Sequence, residues 1–239
     1  MSEQKDRKYP YEPKAPAVLS VDVGGSNVKA VLNGIDERRR FPSGPTLTAQ
    51  QMVDGVLEMT QDWDYVAVSV GIPAPVKDGT AVHDPANLGD GWAGFDFAKA
   101  FGKPTKVIND ATMQALGSYQ GGRMLFLGLG TGLGSTMILE GVIAPLELGH
   151  LAYKHGVWED YVGEAALEEH GKKRWLKAVD ETIAQFTHAL EPEYIVIGGG
   201  NARELGDLPP HCRLGHNADA FLGGFRLWVD QVDQARRAG

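Results

Sequence analysis

The sequence contains a single cysteine, Cys212, among 239 residues. An internal disulfide and a cysteine-built zinc site are therefore excluded, which leaves a free thiol in a reducing cytoplasm. No stretch approaches the roughly 18 apolar residues of a membrane helix. The opening residues, MSEQKDRKYPYEPKAP, are polar and lack the apolar centre of a secretion signal. They read as a disordered leader over residues 1–17. A basic surplus is also missing, since 23 Lys and Arg face 31 Asp and Glu, a formal net charge of -8. Nucleic-acid binding needs a basic footprint and is not expected. A polyanionic substrate remains compatible, because a local basic cluster can act within an acidic surface.

The chain does have enough apolar residues, 43%, to bury the core of one large domain or two small lobes. VLSVDV (Val18 to Val23) is an apolar strand that stops at Gly24-Gly25-Ser26-Asn27, and VKAVLNG returns from it as a hairpin. RRRFPSG supplies a third strand. Thr48 and Gln51 have the spacing of a capping box ahead of an apolar stripe at Met52, Val53, Val56 and Leu57, which predicts a helix. YVAVSVG and TKVIND follow as buried strands. The second half repeats the theme: MLFLGLG runs into Thr131-Gly132-Leu133-Gly134, and STMILEG turns at Glu140-Gly141 into VIAPLEL. Trp175, Val179, Ile183, Phe186 and Leu190 mark a long helix, YIVIGGG a last strand, and Phe221, Phe225, Trp228, Val229 and Val232 a closing helix. Strands interspersed with helices make an α/β protein, and the repeated strand-and-glycine unit suggests two lobes with a central cleft. The two glycines inside HNADAFLGGFRLW have no explanation at this level.

Four segments carry chemistry. In DVGGSNVK (Asp22 to Lys29) the paired glycines let backbone N–H groups approach an anion, and Asp22 could hold magnesium through water. Alone, such a segment is most often only a turn. GLGTGLGS (Gly128 to Ser135) lacks the Lys-Ser/Thr ending of a P-loop and does not open a helix, so it fits neither a nucleotide hydrolase nor a dinucleotide fold. Two such hairpins, one per half, could grip a phosphate chain. Asp110, closing IND, is displayed at a strand end, where it could accept a proton from an attacking hydroxyl or simply cap the next helix. Glu147 and His150 in ELGH, with Glu159 downstream, offer donors and acceptors for sugar hydroxyls. His150 as a metal ligand has only His155 for support. His83, His170, His188, His211 and His216 belong to no constellation and read as surface or capping residues.

In that order, DVGGSNVK, NDA, GTGLGS, ELGHL and IGGGN resemble the ROK (repressor, open reading frame, kinase) family of sugar kinases, most of all its polyphosphate glucokinase branch. The likeness runs from about Val18 to Trp228. It implies an actin-like (ribonuclease H-like) two-lobed fold: an N-terminal lobe over 18–108, completed by the C-terminal helix 217–239, and a C-terminal lobe over 109–216. Asp110 would be the general base toward the sugar 6-hydroxyl, with Asn87, Asn109, Glu147, His150 and Glu159 binding the hydroxyls. Gly24, Gly25, Ser26, Asn27, Lys29, Gly130, Thr131 and Gly132 would line the donor phosphates, with Mg2+ near Asp22. Gly198, Gly199 and Gly200 resemble the segment that shapes the nucleoside pocket. The resemblance also shows departures. The zinc segment of many members is shortened here to AYKHGVWEDYVG, so no structural zinc is expected. Ala74 stands where Gly is usual, and Thr112 and Ser118 stand where Asn and Glu are usual.

The implied partners are glucose and polyphosphate or ATP, in the cytoplasm, with no membrane; a homodimer is left open. Lys172, Lys173, Arg174 and Lys177 cluster at the start of the long helix, where cations oppose the macrodipole. They read equally as a polyphosphate patch or as a solvated face with Lys177 paired to Glu181. Another hexose kinase, or a sugar-sensing regulator without catalysis, are the alternative functions. A regulator of this family carries an added helix-turn-helix, for which the leader offers no room.

Overall fold

The computed structural model describes residues 17–216 and 218–229. The chain divides into two compact units: the described residues up to Met113 together with those from Ala218, and the described residues from Gln114 on. The expected leader lies outside the described residues except for Ala17, as does Val232 of the closing helix.

In the first unit, β1 (Val18–Val23), β2 (Asn27–Leu32) and β3 (Arg38–Pro42) form an antiparallel meander. α1 (Ala49–Met59) follows, and its capping box is made in full: Thr48 Oγ1 accepts the Gln51 N–H and Gln51 Oε1 accepts the Thr48 N–H. Next come β4 (Ala67–Ile72), a small hairpin of β5 (Val76–Lys77) and β6 (Thr80–Ala81), α2 (Phe97–Phe101) and β7 (Thr105–Asn109). α3 (Asp110–Ser118) starts directly at the end of β7. The sheet order is β3-β2-β1-β4-β7, with β1, β4 and β7 parallel.

Alternation along β1 sets the two faces of this sheet. Leu19, Val21 and Val23 join Val68, Val70 and Ile72 in a core with Met52 and Val53 of α1 and Phe97 of α2. On the opposite face Val18, Ser20 and Asp22 stand in register with Ala67, Ser69 and Gly71 of β4. That face is a stripe of small and polar groups, which only a closely approaching partner can cover.

The second unit repeats the design. β8 (Arg123–Leu129), β9 (Leu133–Leu139) and β10 (Val142–Leu146) form a second meander, and Glu140 and Gly141 turn between β9 and β10 with φ of 48° and 83°. Pro145 sits on the edge strand, where its missing N–H costs no ladder bond. A short hairpin of β11 (Ala152–Tyr153) and β12 (Gly156–Val157) leads into α4 (Glu159–Val162), α5 (Glu164–His170) and α6 (Lys172–Leu190). β13 (Tyr194–Gly198) and β14 (Cys212–Leu214) complete the sheet in the order β10-β9-β8-β13-β14. Three antiparallel strands followed by two parallel ones is the same sequence of senses as in the first sheet. Trp175, Val179, Ile183 and Phe186 of α6 pack with Leu125 and Leu127 of β8 and Ile195 and Ile197 of β13.

α7 (Asp219–Arg226) belongs to the first unit and covers the small-residue face of its sheet. Phe221 and Phe225 pack on Val18, Val31 and Ala67. The glycines that the sequence left unexplained account for the closeness of this contact. A Cβ at Gly224 would overlap Ser20 Oγ and stand 3.2 Å from Ser69 Cβ. Ser69 Oγ donates to Gly224 O at 2.6 Å and accepts from Trp228 Nε1 at 2.8 Å, which pins the helix to β4. Gly224→Ala is therefore expected to destabilise the protein by about 1–3 kcal/mol through overpacking. Gly206→Ala, where no atom lies within 4 Å of the added carbon, should stay within about 0.5 kcal/mol of the parent. Denaturant unfolding of the two variants measures the contrast.

Candidate active site

Within the first unit the site grows from the end of β1. Asp22 and Lys29 are cross-strand partners in the β1–β2 ladder, and Lys29 Nζ lies 3.3 Å from Asp22 Oδ2. The intervening turn is closed by Gly24 N–H to Asn27 O at 3.0 Å and held from outside by Ser43, whose Oγ donates to Gly24 O and whose N–H donates to Ser26 O. Gly25 and Ser26 are exposed at its tip. Asn87 lies against this turn, its Nδ2 2.6 Å from where a Cβ of Gly25 would stand. The loop carrying Asn87 is tied by Asp84, which accepts the N–H groups of Trp92 at 2.6 Å and Ala93 at 2.9 Å. Those bonds, from Ala93 and then Trp92, hold the Asp84 carboxyl below the usual range. The sequence reading passed over Asp84, whose only signal was an Asp in a Gly- and Pro-containing loop.

Asp110 opens α3 two residues beyond Ile108, which pairs with Gly71, which in turn pairs with Asp22. Gly71 is the reason the three strands can carry both carboxylates here. A Cβ there would overlap the end of Met113 and approach the Asp110 backbone to 3.4 Å. The capping role belongs to Asn109: its Oδ1 accepts the Thr112 N–H at 3.1 Å, and its Nδ2 donates to Ala74 O at 3.3 Å. Asp110 Oδ1 accepts the adjacent Ala111 N–H at 2.7 Å. Burial, and next the neighbouring Asp22 carboxylate, push the Asp110 carboxyl up to about 7. A carboxylate poised there ionises in the range where a general base works.

Within the second unit, the Gly130-Thr131-Gly132 turn joins β8 to β9 and is gripped by its neighbours. Glu164 N–H, at the start of α5, donates to Gly130 O at 2.9 Å, and Asn201 Nδ2 donates to the same oxygen at 3.2 Å. Gly199 packs on Leu129 O so closely that a side chain there would overlap it, which puts the Gly198–Gly200 segment beside the turn. Glu147, His150 and Glu159 come together as expected. His150 Nδ1 is 3.7 Å from Glu147 Oε2, and its Nε2 is 3.5 Å from Glu159 Oε1. Glu147 and His150 are well exposed, so this acceptor–donor–acceptor set is open to a ligand. Glu159 also lies against Gly132, where any side chain would displace it.

Two supports of this cluster were not singled out from sequence. Ser135 brackets Glu147, its Oγ donating to Leu146 O at 2.9 Å and accepting the Leu148 N–H at 3.0 Å. Trp158, immediately before Glu159, is stacked on Tyr153 at 3.6 Å between ring centroids and tilted against Phe186. Tyr153 OH donates to Glu181, which also accepts from Lys154 Nζ at 2.9 Å. The shortened AYKHGVWEDYVG segment is thus held by aromatic stacking and an ion pair.

The proposed cationic patch is divided. Lys172 Nζ lies 3.2 Å from Glu204 Oε2, and Lys177 Nζ lies 4.0 Å from Glu181 Oε1, the pairing that its spacing had offered. Lys173 and Arg174 are exposed. No described helix is long and apolar enough to cross a membrane. Among the described residues, no group of three or more His, Cys, Asp or Glu side chains could hold a metal ion.

Comparison with known proteins gives the family and the fold. The family model for the ROK family matches residues 18–180. The polyphosphate glucokinase of Mycobacterium leprae is 24% identical over 208 residues, covering 78% of this chain and 64% of its own length. The chain thus spans about two thirds of that relative. The crystal structure of the inorganic polyphosphate/ATP-glucomannokinase from Arthrobacter sp. strain KM superposes with a TM-score of 0.79 at 24% identity, over 91% of this chain and all of that one. A ROK family transcriptional regulator, a homologue of the Escherichia coli MLC protein, superposes with a TM-score of 0.67 at 16% identity, over 88% of this chain and 77% of that one. The two five-stranded mixed sheets are those of an actin-like two-domain fold. With its family model covering well over half of its length, the chain belongs to the ROK family.

Proposed function

We propose that this protein transfers a phosphoryl group from polyphosphate or ATP to the 6-hydroxyl of glucose, giving glucose 6-phosphate. The observation that carries this reading is Asp110, a carboxylate at a strand end, raised to about 7 and left free of the helix cap by Asn109. In the proposed reaction Asp110 accepts the proton of the 6-hydroxyl as its oxygen bonds to the terminal phosphorus. The bond from that phosphorus to the bridging oxygen breaks, and the electron pair leaves with the shortened donor. In this reading Lys29 and the N–H groups of the Gly24–Ser26 and Gly130–Gly132 turns offset charge on the phosphate oxygens. Glu147, His150 and Glu159 supply charge-assisted hydrogen bonds to sugar hydroxyls. Asn87 and Asn109 lie on the loop and the cap that flank Asp110 and Gly25, consistent with further hydroxyl contacts.

The residues present also fit a magnesium ion. The Asp22 carboxylate adds to the rise that burial produces at Asp110, and a hydrated cation at Asp22 would relieve that repulsion without a multidentate cage. Bound there, magnesium would neutralise donor phosphate charge.

A coupled assay of glucose phosphorylation, run with ATP and separately with polyphosphate, tests the reading. Glucose 6-phosphate with at least one donor is expected. Glucose binding without turnover on either donor would instead support a sensing role like that of the family's regulators. Asp110→Asn should keep glucose affinity within a few fold while lowering kcat by at least roughly 10²-fold. Because the base must be ionised and its carboxyl is raised, wild-type kcat/KM should fall as pH drops through about 7, approaching tenfold per unit below it. A flat profile between pH 5.5 and 8 would contradict that assignment.

The stacked Tyr153 gives a further test, because it fixes the segment that presents Glu159. Tyr153→Ala should weaken glucose binding about three- to tenfold, the value of a lost aromatic pair and a loosened carboxylate. Tyr153→Phe keeps the stack and should stay within about twofold on the same grounds. Fluorescence titration with glucose separates the two outcomes.

A further inference from the structure

A cavity of about 450 Å³ opens in the second unit, at some remove from the Gly130–Gly132 turn. Its polar lining is Lys154, His155, Tyr161, His170, Arg174 and Lys177, over a floor of Trp175 and Ala178, and these come from four elements: the tip of the β11–β12 hairpin, α4, the end of α5 and the first turns of α6. Sequence adjacency had grouped Arg174 and Lys177 with Lys172 and Lys173. The fold instead turns Lys172 to Glu204 and brings in Lys154, His155 and His170.

The charge in this cavity is not balanced. Lys154 and Lys177 share one carboxylate, Glu181. Arg174 is exposed, and no described residue hydrogen-bonds or ion-pairs with it. His170 Nδ1 has Glu169 Oε1 at 3.8 Å, and the His155 ring has no described partner. Three permanent cations therefore face one carboxylate between them, around a concave surface.

We propose that this cavity binds a run of linked phosphates, so that a condensed phosphate chain is held by Arg174, Lys154 and Lys177 as well as by the glycine turn. The proposal rests on the reading that polyphosphate is a donor. Linked phosphates suit the site better than a single phosphate ester, because the permanent cations are spread over the hairpin tip and two turns of α6 and the volume exceeds that of one tetrahedral anion. α5 connects the two places: its first residue donates to Gly130 O and its last lines the cavity. At about 1.5 Å per helical residue it spans roughly 10 Å, a distance within reach of a short phosphate chain. Arg174 is the principal group, since its planar fork can take two phosphate oxygens and no carboxylate among the described residues competes for it.

Calorimetric titration of the full chain with long-chain polyphosphate and with orthophosphate, at fixed ionic strength, tests the idea. Arg174→Glu should weaken polyphosphate binding at least about tenfold, and Arg174→Lys by no more than about threefold. Circular dichroism and glucose affinity check that each variant is folded, and Arg174→Gln replaces Arg174→Glu if charge reversal disturbs the fold. Wild-type affinity for polyphosphate in the glutamate or glutamine variant would overturn the proposal. So would orthophosphate binding as tightly as the polymer, which would mark a site for one phosphate group. Glucose phosphorylation from polyphosphate by the wild type is measured alongside. Binding lost with Arg174 but no turnover from polyphosphate would sink the donor reading and leave the cavity standing. Turnover from polyphosphate with unaltered binding in the variants would do the reverse.

Discussion

Two carboxylates of like charge, Asp22 and Asp110, are held near one another in a partly buried site with a single lysine, Lys29, paired to one of them. Everything proposed for the chemistry depends on that imbalance. A buried carboxyl without its own cation holds its proton more tightly than one in water, and a neighbouring negative charge adds to the effect. Lys29 stands directly opposite Asp22 in the ladder and pairs with that carboxylate. The same imbalance makes the site receptive to a cation, and so to phosphates that arrive with one.

The fold creates this imbalance by economy of side chains. Gly71 sits between Asp22 and the end of β7 and leaves room for α3 to begin at Asp110. Along the same face Ser20 and Ser69 are small, and Gly224 lets α7 lie directly on them. The opposite face carries the valines, leucines and isoleucine that give the unit its core. One strand, β1, thus gives its odd-numbered residues to the core, Val18 and Ser20 to the contact with α7, and Asp22 to the site. In the second unit the equivalent strand, β8, ends in the Gly130–Gly132 turn, and the polar work is passed to segments packed on that turn: Glu159, Glu164 and Asn201.

Much of this was legible in the sequence, for identifiable reasons. Hairpins flanked by β-branched runs, the Thr48–Gln51 box and the α6 stripe are local patterns, and local patterns survive folding. The clustering of Glu147, His150 and Glu159 followed from motif resemblance, and their distances agree with it. What could not be read was long-range. Which residue caps α3 depends on the direction each side chain takes at the β7–α3 junction, and Asn109 rather than Asp110 takes that role. Lys172 and Arg174 are two residues apart in sequence, yet one pairs with Glu204 and the other lines the cavity, because a helix turns successive side chains about 100° apart. Gly224 looked like a defect in a helix until the strand beneath it was known. Asp84, Ser135 and Tyr153 act by fixing other segments, and nothing local to them announces it.

The most direct measurement is the titration of Asp110 itself. Carboxyl ¹³C chemical shifts of the labelled protein, followed against pH in the wild type and in Asp22→Asn, would report the balance of charge on which the account rests. An Asp110 midpoint near 7 that drops when the Asp22 charge is removed is the expected result. A midpoint within the ordinary aspartate range, or one indifferent to Asp22, would contradict it.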